Sequence, residues 1–460
     1  MNNSQKSSEI SLHVPPLTWN SFRQAMLSAR NSHEEVIGFL FCQRHQISKH
    51  QIRYFPQDWI VPAPDCYEHQ SACGLVLKEE FHLFLLENYL SKSQLDVVHV
   101  HTHAGAETPY FSAVDDRAES EYARFLSSNF SQKARLISGV FDESMEQSNF
   151  RIWNKKGNDF DSVNFYHSWF EIKELQNAQP NQQSNTNLMF SRQKVFGEVF
   201  QRQLSELTVA LIGCGGIGAV FAEQLGRLGV KKWLLVDPDR LEIVNLNRMP
   251  GATQQMVEKK WHKVEYVKHL IKKIYQIGSC VKTIPTAIED KTTQQEIAAA
   301  DLIIVATDNH RSRQIAQELA LKYMRPLFSL GTHIDIQASG MPRMYCRITV
   351  PPLGGGWCLM CGNIINLQKA ALESAPIEIE NLASQAGYLE GINDPAVFWL
   401  NSICASTAVG VIQGMVSGFL NIEAGLDWIY QFPESQWHKT NTDYLLTPDC
   451  YFCGSDGCDL

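Results

Sequence analysis

The chain has 460 residues, 44% of them apolar and 19% charged, with a formal net charge of −9. That length supports two or three domains, each able to bury its own core. The acidic balance, with no long block of either sign, argues against a sequence-independent nucleic-acid binder, which is normally basic.

The first ten residues, MNNSQKSSEI, are polar and lack the apolar segment of a secretory signal. Residues 1–12 are expected to be disordered and the chain cytoplasmic. From 13 to 173, helix-like and strand-like segments alternate. Leu75 to Leu90 has apolar spacing suited to a helix. Leu95 to His103 (LDVVHVHTH) reads as a strand ending in alternating histidines, and Ala134 to Phe141 as another strand.

His99, His101 and His103 fall on one face of that strand, because side chains alternate with a period of two. Downstream lies Ser112-Ala-Val-Asp115, and upstream Glu35-Val-Ile-Gly38 in an apolar run. Two imidazoles and one carboxylate on zinc leave a fourth position for water. A neighbouring Glu can take a proton from that water, and a Ser hydroxyl can steady a tetrahedral oxyanion. The bland alternative is a polar strand end without metal.

The order Glu, His-x-His, Ser-x-x-Asp resembles the JAMM (JAB/MPN) metalloprotease family, whose members cleave peptide or isopeptide bonds after ubiquitin-like C-termini. The resemblance implies His101, His103 and Asp115 as Zn²⁺ ligands, Glu35 as general base and Ser112 as oxyanion donor. His99 is left as a neighbouring or core residue. Two departures stand in the motif: eight residues separate His103 from Ser112, one more than usual, and Ala104 replaces the family's proline.

Residues 174–187 include the amide-rich NAQPNQQSNTN, which offers nothing for a core and reads as a linker. Beyond it, strand–helix–strand alternation points to a parallel sheet covered on both faces. The segments are Leu207–Gly213, Gly215–Gly229, Lys232–Asp237 and Asp301–Thr307. Gly213-Cys-Gly-Gly-Ile-Gly218 joins the first strand to the first helix. Glycines there let backbone N–H groups and the helix N-terminus approach a phosphate, with Gly213, Gly215, Gly216 and Gly218 as the candidates. Asp237 ends the next strand, 24 residues after Gly213, and its carboxylate suits ribose hydroxyls.

Up to that point a nicotinamide dinucleotide fits as well as ATP. Asn245, Arg248, Lys263 and Asp308 favour the triphosphate, since Arg and Lys balance its charge and Asp308 can hold Mg²⁺. Taken one at a time, Lys263 also reads as a surface helix residue and Asp308 as a turn residue.

Together these motifs resemble the ThiF/MoeB/ubiquitin-activating enzyme family over about Leu188 to Cys453. The resemblance implies adenylation of the C-terminal glycine of a ubiquitin-like or sulfur-carrier protein. It also implies that Arg192, in Ser191-Arg192-Gln193, reaches a partner subunit's ATP in trans, hence a homodimer. Lys263 sits about two residues later than the usual spacing.

Cys358/Cys361 and Cys450/Cys453 are two Cys-x-x-Cys pairs, the spacing of a structural four-thiolate Zn²⁺ site; a redox pair is the competing reading. No cysteine occurs between Gly362 and Ile403, so Cys404 is the first available acceptor thiol. It is a nucleophile if it sits at a helix N-terminus and a core residue if it sits within the apolar helix. The stretch Phe398 to Leu420 contains Asn401, Ser402, Ser406, Thr407 and Gln413, which suits a buried helix rather than a membrane span.

The expected fold class is α/β throughout: a JAMM-type domain at 13–173, then a linker, then a Rossmann-like doubly wound sheet with a structural zinc site at 188–460. The expected activity joins adenylation of a ubiquitin-like C-terminus to zinc-dependent cleavage after it, with a conjugating enzyme as a possible further partner. Sulfur-carrier activation and release, a non-catalytic scaffold and a dehydrogenase are the alternatives.

Overall fold

The computed structural model describes residues 9–454 apart from 31–32, 49, 73, 91–94, 106–107, 130–133, 168, 170–187, 276, 337–341, 375–394 and 448. The chain divides into two compact units, Met1–Ser168 and Trp169–Leu460. The expected linker, 174–187, lies outside the described residues.

The first unit is built on a mixed eight-stranded sheet in the order β10 (Asn164–Tyr166), β1 (Glu9–His13), β3 (Gln51–Ile60), β2 (Ile37–Ser48), β6 (Asp96–Thr102), β7 (Leu136–Phe141), β8 (Ser148–Trp153) and β9 (Phe160–Ser162). It opens with β1 (Glu9–His13), helix α1 (Pro16–Ser28) and the long hairpin β2 (Ile37–Ser48) and β3 (Gln51–Ile60). The expected disorder of residues 1–12 is therefore corrected for 9–12. Ile10 and Leu12 alternate into the core, and β1 pairs parallel with both β3 and β10.

A small hairpin, β4 (Tyr67–Ser71) and β5 (Gly74–Leu77), precedes α2 (Glu79–Leu85) and a π-helical turn at Leu86–Leu90. The single helix expected over Leu75–Leu90 is thus a strand followed by a shorter helix. Leu75, Val76 and Leu77 pair with β4, and helical packing begins only where Phe81 and Leu85 supply buried contacts.

Then follow β6 (Asp96–Thr102), α3 (Ala113–Asn129), β7 (Leu136–Phe141), β8 (Ser148–Trp153), β9 (Phe160–Ser162) and β10 (Asn164–Tyr166). Central β6 pairs antiparallel with β2 and parallel with β7. Val98 and Val100 pack on one face of the sheet, which leaves His99 and His101 on the other.

The second unit also has an eight-stranded sheet, in the order β13 (Cys280–Ile284), β12 (Lys232–Val236), β11 (Thr208–Ile212), β14 (Leu302–Val305), β15 (Leu327–Ile336), β16 (Pro342–Val350), β17 (Leu426–Phe432) and β18 (Gln436–Lys439). Helix α4 (Gly197–Glu206) leads into β11 (Thr208–Ile212), α5 (Gly216–Leu228) and β12 (Lys232–Val236). A short helix α6 (Gln254–Glu258) precedes α7 (Lys263–Ile274). The sheet continues through β13 (Cys280–Ile284), α8 (Lys291–Ala298), β14 (Leu302–Val305), α9 (His310–Lys322) and β15 (Leu327–Ile336). These five strands are parallel. Their apolar runs (TVALI, LLV, LIIV) are those of strands covered on both faces.

From β15 the sheet becomes antiparallel through β16 (Pro342–Val350), β17 (Leu426–Phe432) and β18 (Gln436–Lys439). Helices α10 (Leu367–Glu373) and α11 (Phe398–Val416) lie between β16 and β17 in sequence. Helix α11 is apolar and long enough to cross a membrane, yet Leu400, Cys404, Ala408, Val411 and Ile412 belong to the core of this unit. Its low amphipathicity follows from burial on most sides.

Candidate active sites

At the C-terminal ends of β11, β12 and β14 lies a cavity of about 440 Å³. Gly213 turns the chain out of β11 with φ of 92°, and a Cβ there would meet the Ala306 carbonyl at 2.8 Å. Only glycine allows that turn so close to the neighbouring strand end. Gly215 and Gly216 line the cavity at the start of α5. Gly218 does not: its Cα faces the Gly213 carbonyl, where a Cβ would stand 2.0 Å from the oxygen. Its role is to let the helix close on the strand rather than to meet a ligand, which corrects the expectation of direct binding.

Asp237 is buried; its carboxylate accepts from the Cys214 N–H at 2.7 Å and the Asp239 N–H at 2.9 Å. Burial raises its pKa. Lys263, the first residue of α7, donates to Asp239 at 2.7 Å. Burial opposes its charge, but Asp237, Asp239 and Asp308 outweigh that and raise its pKa. Asn245 caps its own turn, accepting from the Glu242 N–H at 3.0 Å. Arg248 donates to the Val244 carbonyl at 2.7 Å.

Asn245, Arg248, Lys263 and Asp308 line the cavity with Asp237, so every sequence-derived nucleotide residue except Gly218 and Arg192 meets there. Arg192 lies on the 3₁₀ turn Ser191–Phe196 and does not line it.

Some cavity residues escaped the sequence reading. Asp239 pairs with Lys263; the signal was a second acid just past the end of β12. Asn401 sits in an apolar run with no local pattern that marks it as a cavity residue. It is 2% exposed, accepts from Thr332 at 3.0 Å and lines the cavity. A buried amide in an apolar helix calls for such a partner. Arg313 is half-buried in the cavity wall, donating to the Thr307 and Leu330 carbonyls at 2.6 and 3.0 Å and to Ser329.

Cys404 is not at a helix N-terminus. It is the seventh residue of α11, 0% exposed, with Sγ 3.8 and 3.7 Å from the carbonyl oxygens of Gly331 and Arg347. The acceptor role considered for it is corrected to a core role, because nothing can reach the sulfur without opening the sheet.

Residues 187–414 match the ThiF family. This stretch is a ThiF family domain. Among its relatives is the sulfur carrier protein ThiS adenylyltransferase of Bacillus subtilis (strain 168). That protein is 29% identical over 187 residues, covering 38% of this chain and 54% of the relative. Adenylyltransferase and sulfurtransferase MOCS3 of Sus scrofa is 28% identical over 179 residues, covering 38% and 36%. Ubiquitin-like modifier-activating enzyme 5 of Mus musculus is 27% identical over 167 residues, covering 33% and 41%. The chain spans roughly a third to a half of the length of these relatives. The ThiF domain is homologous to them, and its cavity occupies the glycine turn and strand ends just described.

Beside the ThiF domain's sheet, the two Cys-x-x-Cys pairs converge. Sulfur–sulfur distances are 3.7 Å for Cys358/Cys361, 3.8 Å for Cys358/Cys450 and 3.6 Å for Cys361/Cys453. A disulfide would be about 2.0 Å. A tetrahedron with metal–sulfur bonds of about 2.3 Å has edges of about 3.8 Å, so the four thiols fit zinc. The Cys453 hydrogen bond pushes Cys358 down to about 6, towards the ligating thiolate. The knuckle is tied to α9 by the Leu359 N–H, which donates to Gln317 Oε1 at 2.6 Å.

The first unit holds a separate cavity of about 830 Å³. At its wall His101 Nε2 and His103 Nε2 are 3.1 Å apart, and Asp115 lies 3.4 Å from the first and 3.5 Å from the second. Tetrahedral ligation with bonds of about 2.0–2.1 Å has edges of about 3.3 Å, so this donor set also fits a zinc ion.

Local structure explains the convergence. Ser112 and Asp115 form a reciprocal cap at the start of α3: the Ser112 N–H donates to Asp115 at 2.6 Å and the Asp115 N–H to Ser112 Oγ at 3.2 Å. That cap fixes the carboxylate towards the imidazoles. Glu35 is delivered by the start of β2, where the Val36 N–H donates to Thr102 Oγ1 at 3.1 Å; its carboxylate lies 4.0 Å from His103.

Burial lowers the pKa of His101 and keeps it neutral, and it raises Glu35 to about 7. The Asp115 hydrogen bond raises His103 against the effect of burial. Burial pushes Asp115 up, but hydrogen bonds from His101 and His103 hold it well below the usual carboxylate range.

Proposed function

We propose that the ThiF domain adenylates the C-terminal glycine of a ubiquitin-like or sulfur-carrier protein, and that the first unit is a JAMM-type zinc peptidase acting after such a C-terminus. The observation that carries the first part is the meeting of Asp237, Arg248, Lys263 and Asp308 around the Gly213 turn. The names of the relatives support the substrate class.

In this reading the backbone at Gly213–Gly216 cradles phosphates, Asp237 takes the ribose hydroxyls and Asp308 holds Mg²⁺. The carrier's carboxylate oxygen attacks the α-phosphorus of ATP. A P–O bond to the carrier forms, the bond to the bridging oxygen breaks, and pyrophosphate leaves. Arg248 and Lys263 stabilise the charge that builds on the phosphate oxygens, and Arg192 of a second subunit adds to it in a homodimer.

In the first unit His101, His103 and Asp115 would hold zinc, which supplies a Lewis acid and lowers the pKa of a water molecule. Glu35, raised to about 7 by burial, accepts a proton near neutral pH and returns it to the leaving amine. The Ser112 hydroxyl, which accepts from the Asp115 N–H, would donate its proton to the carbonyl oxygen.

Intact-mass analysis of candidate carriers incubated with the full chain, ATP and Mg²⁺ tests the first activity; an AMP adduct is the expected product. A carrier extended past its terminal glycine tests the second: zinc-dependent trimming is expected, lost in Glu35→Gln. The burial of Cys404 favours one variation, in which the acyl group passes from the adenylate to a thiol or sulfur donor on another protein.

A further inference from the structure

The proposed hydrolase cavity contains a buried charged cluster that its chemistry leaves unused. Glu119 is 1% exposed and saturated with donors. Its Oε1 lies 3.2 Å from His99 Nε2; its Oε2 accepts from Arg151 Nε at 2.8 Å and Trp153 Nε1 at 2.9 Å. Arg151 also reaches Asp116 at 2.6 Å, and its guanidinium lies 3.7 Å from the Phe111 ring centre.

We propose that Glu119 is a positioning residue for the three-ligand site: braced by His99 and Arg151, it sets the gap between β6, which carries His101 and His103, and α3, which carries Asp115. The proposal rests on the zinc reading of those three ligands.

Three observations carry it. Glu119 follows Asp115 by four residues, one helical turn on the same face, and His99 precedes His101 by two, on the same face of the strand. The Glu119 contacts therefore join the two ligand-bearing elements directly beside the ligands. Secondly, the apolar anchorage of α3 lies in its second half, at Tyr122, Ala123 and Leu126. Nearer the turn that carries Asp115, the buried contact is the polar node, and a buried ionic group fixing register is the best-attested use of such a group. Thirdly, a metal site tolerates errors of only about 0.2 Å in its ligand distances, so a small roll of α3 moves Asp115 out of reach.

His99, His101 and Glu119 also lie close enough together to hold an ion themselves. Both Glu119 oxygens are already committed, however, and Arg151 Nη2 stands 2.6 Å from one of them. A dication there would displace a buried guanidinium, so the trio is a brace rather than a second seat.

The test is metal affinity in the full chain. Zinc is titrated against a chelator. Cobalt(II) exchange separates the two sites, because only the four-thiolate site gives sulfur-to-metal charge-transfer bands. Wild type is expected to hold one ion at each. Glu119→Gln should weaken the non-thiolate ion about ten- to a hundredfold and leave the thiolate ion unchanged. Should Glu119→Gln fail to fold, His99→Gln, which keeps the Glu119–Arg151 pair, carries the test with the same direction. Unchanged affinity in a folded variant overturns the inference alone. A wild type that binds only the thiolate-held ion overturns the hydrolase reading and the inference with it.

Discussion

Lys263 Nζ donates to Asp239 Oδ2 at 2.7 Å inside a cavity that also holds Asp237 and Asp308. Three acids keep the ammonium charged although it is largely buried, so a cation is preset where phosphates would enter. Lys263→Met should lower kcat/KM for carrier-dependent ATP turnover by about 10²–10³, the cost of removing one donor to a developing oxyanion. Asp239→Asn removes only the resting partner and should cost less than Lys263→Met. Steady-state kinetics of both variants checks the ranking; equal or reversed losses would assign the essential contact to Asp239.

Cys404 is enclosed between α11 and the sheet, with its sulfur near the Gly331 and Arg347 carbonyls. Cys404→Ala should therefore leave adenylate formation intact and lower stability by about 1 kcal/mol, the loss of one small buried group. Thermal melting and adduct analysis together check this. A variant of unaltered stability that no longer transfers the acyl group would restore Cys404 as the acceptor.

Removal of the zinc proposed at Cys358, Cys361, Cys450 and Cys453 should act on the nucleotide cavity at a distance. The knuckle holds α9 through Gln317, and α10 holds the N-terminus of the same helix, where Glu373 accepts from the His310 and Arg311 N–H groups at 3.1 and 2.7 Å. Helix α9 begins directly after Asp308-Asn309. Cys450→Ser is expected to lose one equivalent of zinc, lower Tm and weaken ATP binding together. Zinc analysis with calorimetric ATP titration follows all three, and full ATP affinity in a zinc-depleted, folded variant would uncouple them.

Asp427 anchors β17. It accepts from Arg347 Nε at 2.8 Å, Thr349 at 2.8 Å and Thr440 at 2.6 Å. Burial raises its pKa, but Arg347 and the threonines prevail and lower it. A depressed carboxylate contributes stability above its unfolded value, about 3.9, and that contribution disappears as pH falls through the lower folded value. Asp427→Asn should cost about 1–3 kcal/mol at neutral pH and flatten the loss of stability below about pH 4. Denaturant melts across pH test both effects.

The local motifs were legible because each is a spacing. The glycine turn, the His99-Val-His101-Thr-His103 alternation and the two Cys-x-x-Cys pairs each place groups through a known backbone period. What stayed hidden depends on partners distant in sequence. Asn401 meets the Gly213–Gly216 turn, and Arg151 meets Glu119 across 32 residues. No local pattern announces such pairs.

The strand at Leu75–Leu77 was masked by apolar residues that satisfy a helical spacing equally well, and only pairing with β4 decides between them. Cys404 was ambiguous for a similar reason: the start of α11, at Phe398 rather than near Cys404, separates a helix N-terminus from a core position.

The central claim is that the cavity around Gly213 activates a carrier's C-terminus with ATP. ATP–pyrophosphate exchange in the full chain, with ubiquitin-like and sulfur-carrier proteins supplied in turn, tests it most directly, comparing wild type with Asp308→Ala. The expected result is exchange that requires a free carrier C-terminus and vanishes in the variant. Absence of exchange with every carrier, in protein that still binds ATP, would contradict the claim.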